Sequence, residues 1–169
     1  QLPDNRILIG TGEGSFQMGS RFGHLASKGK GVFLFNPADA SFTRLKGTGP
    51  SCNSSAWANV NKVVACEADG VTYVFAATKG GLYRWTIESE EDWNNAPTEI
   101  STSEDGFPVY DVAIVKAHNL VYFSGDSKVY RCSSLDANTA LNVSTLKSED
   151  GVAIFEKSHR IFLAVSESN

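Results

Sequence analysis

The chain has 169 residues, of which 41% are hydrophobic and 20% are charged. This composition is typical of one globular domain and excludes a disordered chain. The net charge of −4 and the absence of any Lys/Arg cluster argue against nucleic acid as a partner. Because no apolar stretch approaches the ~18 residues of a membrane helix, we predict no membrane span.

Short apolar runs recur along the chain, and each ends in small or turn-forming residues. The first type of run occurs at RILIGT (6–11), TYVFAAT (72–78), LVYFSGD (120–126) and RIFLAVS (160–166). A second type follows the first three, at GVFLF (31–35), GLYRW (81–85) and KVYRC (128–132). A weaker third type lies at 41–45, 98–102 and 141–145, and a fourth precedes the next unit at 61–66, 109–115 and 151–157. Val, Ile, Phe and Tyr between Gly, Asn, Asp and Ser are typical of β-strands.

These runs form a unit of four short strands that recurs about every 40–48 residues. No window shows a convincing helical period, and residues 86–96 have room for one turn at most. Runs such as 120–123 are apolar at consecutive positions, which predicts strands covered on both faces. Four-stranded units at this spacing are typical of a β-propeller, in which each sheet lies between two others.

We therefore predict an all-β fold, a β-propeller of four-stranded antiparallel blades, in one domain over residues 1–169. Its units cover about 6–46, 56–102 and 108–146, with an incomplete unit at 151–169. This is a little over three blades, whereas closed propellers usually have at least four. We expect the rest of a larger propeller to lie in the same chain or in another. A closed four-blade ring is less favoured, because one blade would then have five strands.

The tetrapeptide SEDG occurs twice, at Ser103–Gly106 and Ser148–Gly151. Each copy lies between the outer strand of one unit and the inner strand of the next. The repetition therefore marks the same architectural corner twice.

Two segments carry a family resemblance. The run GVFLFNPADASFTRL (31–45) resembles the repeats of the sialidase (Asp-box) and sortilin-type propellers, and it fits their pattern at Gly31, Val32, Phe33, Phe42, Thr43 and Leu45. The run GLYRWTIESEEDW (81–93) fits at Gly81, Leu82, Tyr83, Arg84 and, with one residue inserted, Trp93. The Asp-box is degenerate, since its turn Asp falls at Pro37, Ile87 and Ser134. The resemblance implies the propeller fold and no particular activity.

In such a propeller, one face collects the loops between blades and those between second and third strands, and ligands usually bind there. This face carries 47–55, 101–108, 147–151 and a Gly-rich insert at 12–30. We predict the insert to be a recognition loop that presents aromatic anchors and an arginine to a protein or glycan. Its candidate binding residues are Glu13, Phe16, Met18, Arg21, Phe22 and His24. The alternative is a loop that covers its own blade with Phe16 and Phe22.

The same face carries five acidic residues: Glu104, Asp105, Asp111, Glu149 and Asp150. Two carboxylates ~5–10 Å apart can hydrolyse a glycoside, and carboxylate oxygens can also hold calcium. The simplest interpretation is that Asp-Gly and Glu-Asp form solvated turns. We therefore predict no catalytic residue, metal site or cofactor, and keep a calcium site and the carboxylate pair as alternatives.

The cysteines are Cys52, Cys66 and Cys132, and none forms the CxxC of a zinc site. A Cys52–Cys66 disulfide suits an oxidising compartment, while three buried thiols is the favoured interpretation. The sequons at Asn53 and Asn142 permit N-glycosylation.

The function predicted from these features is a non-enzymatic binding module of a secreted or surface-exposed protein. The acidic charge, the elaborated first loop and the absence of a recognisable catalytic arrangement support it. One alternative is a propeller-type glycoside hydrolase that uses the five acidic residues. Another is an intracellular scaffold of the same architecture.

Overall fold

The computed structural model describes residues 1–12, 29–49, 55–102, 106–125, 128–143 and 161–165. These residues form short strands joined by turns and three 3₁₀ helices, Ser55–Ala58, Glu90–Asn94 and Lys116–His118. The strands are β1 (Ile7–Gly10), β2 (Val32–Asn36), β3 (Ser41–Arg44), β4 (Val60–Ala68), β5 (Val71–Thr78), β6 (Gly81–Ile87), β7 (Thr98–Glu99), β8 (Val109–Val115), β9 (Leu120–Gly125), β10 (Lys128–Cys132) and β11 (Ala140–Asn142). No helix in these ranges has the length and apolarity needed to cross a membrane.

The strands form three separate antiparallel sheets. Sheet 1 has the order β1-β2-β3, sheet 2 the order β4-β5-β6-β7, and sheet 3 the order β8-β9-β10-β11. Within each sheet, every strand pairs with the next one along the chain. The prediction of an all-β protein built from small successive antiparallel sheets is therefore confirmed for the described ranges.

Tight turns hold the strands of each sheet together. Asp69 and Gly70 connect β4 to β5 with φ values of 52° and 78°. Two consecutive residues with positive φ form the turn that matches the twist of a hairpin, and Asp-Gly is a favoured pair there. The connection from β8 to β9 is longer: it runs through the 3₁₀ helix Lys116–His118, and Asn119 ends that helix with a φ of 55°.

Sheet 2 lies between the other two sheets, and both of its faces are buried. One core cluster joins Leu34 of sheet 1 to Val74, Ala76 and Trp85 of sheet 2. The other joins sheet 2 to sheet 3 and includes Phe75, Ala77, Leu82, Val112, Phe123 and Tyr130. Residues 74–77 of β5 are each 0% exposed, because alternate side chains enter opposite clusters. This explains why the run is apolar at consecutive positions.

Polar contacts also join sheets 2 and 3. Arg84 of β6 is 7% exposed and donates from Nη1 to the Ala137 carbonyl at 2.7 Å and from Nη2 to Asn138 Oδ1 at 2.8 Å. Burial lowers the pKa of this guanidinium. Beyond β7, the Ser101 amide donates to the Asn138 carbonyl at 2.9 Å. The loop between β10 and β11 is thus tied to the preceding sheet.

Candidate functional site

The first strands of sheets 2 and 3, β4 and β8, which we call the inner strands, begin where the sequence predicts candidate binding loops. Both strands carry a β-bulge at the second residue, between Val60 and Lys62 in β4 and between Val109 and Asp111 in β8. Bulges re-aim side chains and are frequent next to functional sites. Here the bulge residue Asn61 donates from Nδ2 to the Val109 carbonyl at 2.6 Å. The two inner strands are therefore joined at their starting ends.

An ion pair lies one residue further along. Lys62 and Asp111 hold the same position in successive sheets, and Lys62 Nζ lies 2.6 Å from Asp111 Oδ1. The Asp111 side chain is 5% exposed, whereas that of Lys62 is 39% exposed. The carboxylate is therefore buried, whereas part of the Lys62 side chain is exposed to solvent.

Asp111 also holds a distant segment of the chain. Its Oδ2 accepts the Leu163 amide at 2.7 Å, and its Oδ1 accepts its neighbour's amide, that of Val112, at 2.8 Å. Ser124, the residue opposite Asp111 on β9, donates from Oγ to the Ile161 carbonyl at 2.6 Å. Both carboxylate oxygens are engaged, so Asp111 positions residues 161–165.

The second feature of this edge is the neck of the insert, which we define as Thr11–Gly12 and Gly29–Gly31. Thr11 joins the two sides of the neck. Its Oγ1 donates a hydrogen bond to the Gly31 carbonyl at 2.7 Å and accepts one from the Lys30 amide at 2.8 Å. The Thr11 amide donates to the same Gly31 carbonyl at 3.1 Å. Three hydrogen bonds thus close the neck.

The neck is in turn fixed to the start of β4. The Gly29 amide donates to the Ala58 carbonyl at 2.7 Å, and the Val60 amide donates to the Thr11 carbonyl at 3.1 Å. A Cβ on Gly29 would lie 2.1 Å from the Thr11 carbonyl oxygen, and one on Gly12 would lie 2.1 Å from that of Ala58. Only glycine allows backbones to approach this closely.

Most residues singled out from the sequence lie outside the described residues. These are Glu13, Phe16, Met18, Arg21, Phe22, His24, Cys52, Asn53, Glu104, Asp105, Glu149 and Asp150. Of the acidic set, Asp111 is described, and its partners are those given above. Within the described ranges, no three His, Cys, Asp or Glu side chains come together as a metal site would need.

The described cysteines, Cys66 and Cys132, carry free thiols. Cys132 is fully buried, and burial raises its pKa to about 11. Cys66 is half-buried on β4, and burial raises its pKa as well. Asn142 of the second sequon lies exposed on β11.

A groove of about 600 Å³ lies at the opposite end of the inner strands. Its lining includes Leu2, Cys66, Thr72 and Lys116, and Glu67 is its single acidic residue among those described. A glycosidase needs two carboxylates at its cleft, so the described part of this groove lacks that arrangement.

Sequence reasoning missed Asn61, Lys62 and Thr11 as residues of this edge. A signal for Lys62 exists, because aligning NKVVA (61–65) with YDVAI (110–114) puts a lysine and an aspartate at the same position of consecutive units. Such a pair is complementary across neighbouring inner strands. No sequence pattern identifies Thr11, because its partner Gly31 comes 20 residues later and is brought to it only when the ends of the insert meet.

Comparison with known proteins found no match of any kind: no family model matches the chain, and neither a curated protein nor a solved structure resembles it significantly.

Proposed function

We propose that this chain is part of a β-propeller and that it binds a protein or glycan, without catalysis, through loops at the edge where β4 and β8 begin. Three features support the propeller. The sheets are consecutive meanders, sheets 2 and 3 have four strands each, and the inner strands β4 and β8 are neighbours. A propeller arranges its blades in this way, side against side around an axis. The sialidase and sortilin-type propellers remain the family that the sequence resembles.

The observation that carries the binding proposal is the neck of the insert. Five hydrogen bonds join Thr11, Gly29, Lys30, Gly31, Ala58 and Val60. A loop whose ends are fixed on a rigid scaffold loses less entropy when it binds than one with free ends. The insert between these ends carries Phe16, Arg21 and Phe22, and aromatic and arginine side chains dominate binding energy at protein interfaces.

The non-enzymatic part of the proposal rests on Asp111. Its carboxylate is buried and accepts hydrogen bonds at both oxygens, which suits a structural role. The glycoside hydrolase remains the second candidate, because the sequence predicts Glu104, Asp105, Glu149 and Asp150 in loops of the same face.

The test uses binding to a glycan array and to purified extracellular protein domains, followed by affinity measurement on the best ligand. A triple variant, Phe16→Ala with Arg21→Ala and Phe22→Ala, should weaken binding at least tenfold. The matched control is Phe42→Ala with Arg44→Ala, which removes exposed side chains of the same kinds from β3. An equal loss in both variants, or none in the triple variant, would contradict the role of the insert.

A panel of fluorogenic glycosides tests the second candidate, the glycoside hydrolase. Turnover that is lost in Glu104→Gln or Glu149→Gln would establish a hydrolase and refute the non-enzymatic proposal.

We also propose a secreted or surface location. Expression through a eukaryotic secretory pathway should then give a mass increase at Asn53 or Asn142 that glycosidase treatment removes.

A further inference from the structure

Three exposed lysines surround the neck of the insert. Lys30 belongs to the neck, Lys46 follows β3, and Lys79 lies in the turn between β5 and β6. Neighbouring strands of an antiparallel sheet run in opposite directions, so β2 and β6 begin, and β3 ends, at the edge where β4 begins. We call Lys30, Lys46 and Lys79 the neck lysines. They lie on the side of the protein that the proposed function assigns to ligands.

Main-chain hydrogen bonds hold Lys30 and Lys79 beside one short stretch of chain. The glycine before Lys30 donates its amide to the Ala58 carbonyl at 2.7 Å, and Lys79 donates its own amide to the Asn59 carbonyl at 3.0 Å. Because Ala58 and Asn59 are consecutive, little more than this stretch separates the backbones of the two lysines. Their positions are therefore set by the scaffold, while their side chains remain exposed.

Lys46 is held beside the other end of the neck. The Leu45 amide donates to the Val32 carbonyl at 2.9 Å, and the Val32 amide donates to Thr48 Oγ1 at 3.2 Å. The segment that carries Lys46 thus lies against the residues that follow Lys30. Main-chain contacts therefore link the neck lysines in one series, from Lys46 to Lys30 to Lys79.

Acidic side chains are concentrated at the opposite end of the sheets. They lie in or beside the turns of that end, at Asp4, Asp39, Glu67, Asp69, Glu88, Glu90, Glu91, Asp92 and Asp136. The eight residues of β5, which connect the two ends, span roughly 25 Å, whereas charges are screened over about 10 Å in 0.1 M salt. The net charge of −4 therefore does not keep an anion away from the neck lysines.

The edge that carries the neck lysines has acidic residues as well, and most of them belong to its other side. Asp111 is paired with Lys62, and the Glu99 carboxylate is hydrogen-bonded to Tyr83. In the sequence, the insert carries two basic residues besides Lys30, Arg21 and Lys28, and one acidic residue, Glu13. The connections before and after the strands of sheet 3 carry the acidic residues Glu104, Asp105, Asp126, Glu149 and Asp150. Positive charge is thus concentrated where sheets 1 and 2 meet.

The exposure and the identity of the neck lysines indicate what they bind. A single ion pair at an exposed lysine contributes little to binding, so a useful ligand must carry several negative charges. A glycan with one terminal charge would satisfy one lysine of the three. A protein partner is less suitable, because lysine is depleted in protein–protein interfaces. A polysaccharide with a charge on each repeat fits a series of lysines best.

We propose that the neck lysines bind a sulfated polysaccharide chain. Its sulfate groups contact Lys30, Lys46 and Lys79 in turn, and the fixed backbone of the neck keeps the three at constant spacing. Sulfate esters remain ionised at every physiological pH, and they give a chain more charge per sugar than carboxylates alone. This inference rests on the proposed function, since it names the class of ligand for the same edge.

Calorimetric titration of the chain with a heparin-derived octasaccharide tests the proposal. We expect binding that weakens about tenfold or more between 50 and 200 mM NaCl, because contacts with a polyanion release its counterions. Lys30→Glu combined with Lys79→Glu should weaken binding at least tenfold, since two attractions become repulsions. Lys79→Glu alone should weaken it about threefold. Its matched control, Lys116→Glu, makes the same change of charge at an exposed lysine of the opposite end and should leave affinity unchanged.

Circular dichroism establishes that each variant is folded before its affinity is interpreted. Equal weakening by Lys79→Glu and Lys116→Glu would overturn the proposal, because it would reflect net charge alone. Binding of an unsulfated polyuronate or of duplex DNA as tight as that of the octasaccharide would also overturn it. The insert is tested separately by the triple variant described above. A chain that ignores the octasaccharide but binds another ligand through the insert would refute this inference and leave the proposed function standing.

Discussion

Removing the Asp111 carboxylate should destabilise the protein more than any other single change at the candidate site. Asp111→Ala deletes the acceptor of the Lys62 ion pair at 2.6 Å and of the Leu163 amide at 2.7 Å. Hydrogen bonds to a charged group contribute about 1.5–3 kcal/mol each. Lys62 is 39% exposed and regains water when its partner is lost, so its bond counts at the low end. We expect the free energy of unfolding to fall by about 2–4 kcal/mol.

Urea denaturation of Asp111→Ala, Asp111→Asn and Lys62→Met measures this effect. The asparagine keeps an oxygen that can accept the Leu163 amide, so its loss should be about half that of the alanine. A double-mutant cycle between Lys62→Met and Asp111→Asn should give a coupling energy of about 1 kcal/mol. A loss below about 0.5 kcal/mol for Asp111→Ala, or no coupling, would show that the ion pair does not hold the inner strands together.

Three further predictions concern the neck, the buried thiol and the contact between sheets. Gly29→Ala should lower the free energy of unfolding by about 2 kcal/mol or more, because its Cβ would meet the Thr11 carbonyl. In the control Gly70→Ala the new Cβ has no atom within 4 Å, so the loss should be about 1 kcal/mol, from the positive φ alone. Similar melting temperatures for the two variants would contradict this prediction. Burial raises the Cys132 pKa from 9.0 to about 11, so the stability due to its neutral thiol is complete below pH 9 and lost as pH rises through 11. Between pH 7.5 and 10.5 the stability difference between wild type and Cys132→Ala should shrink by about 2 kcal/mol in urea melts, and a constant difference would refute the assignment. Arg84→Met should lower the free energy of unfolding by about 2 kcal/mol and speed amide exchange at Ser101 and Ala140, while unchanged exchange would contradict the role of Arg84 in joining the sheets.

The strands were predictable because burial on a pleated sheet leaves a direct trace in the sequence. Residues 74–77 are apolar at every position, and each is buried against one of two neighbouring sheets. The run at 98–102 shows the limit of this trace. Thr98–Glu99 and the Ile100 amide bond to β6 of sheet 2, whereas Ser101 bridges to Thr139 in the β10–β11 loop. Side-chain periodicity reports which faces are buried, and it does not report which strand supplies the hydrogen bonds.

The polar site was less predictable, because its members are far apart in sequence. The sequence predicts the strand that carries Asp111, at 109–115, but it groups this residue with four other acidic residues and not with its actual partner, a lysine from the preceding unit. Composition identifies a buried carboxylate poorly, since burial depends on the neighbouring sheet. The alignment of repeated units recovers the pair, because equivalent positions of adjacent inner strands face each other.

The insert is best explained by comparing the same connection in two sheets. Lys79 and Gly80 suffice to join β5 to β6, whereas residues 11–31 join β1 to β2. Folding therefore does not require the longer connection, and closing a longer loop costs additional entropy. Yet the base of this connection is held by five hydrogen bonds and by glycines that leave no room for a side chain. This long connection, anchored beside the start of β4, is the observation on which the proposed recognition role rests.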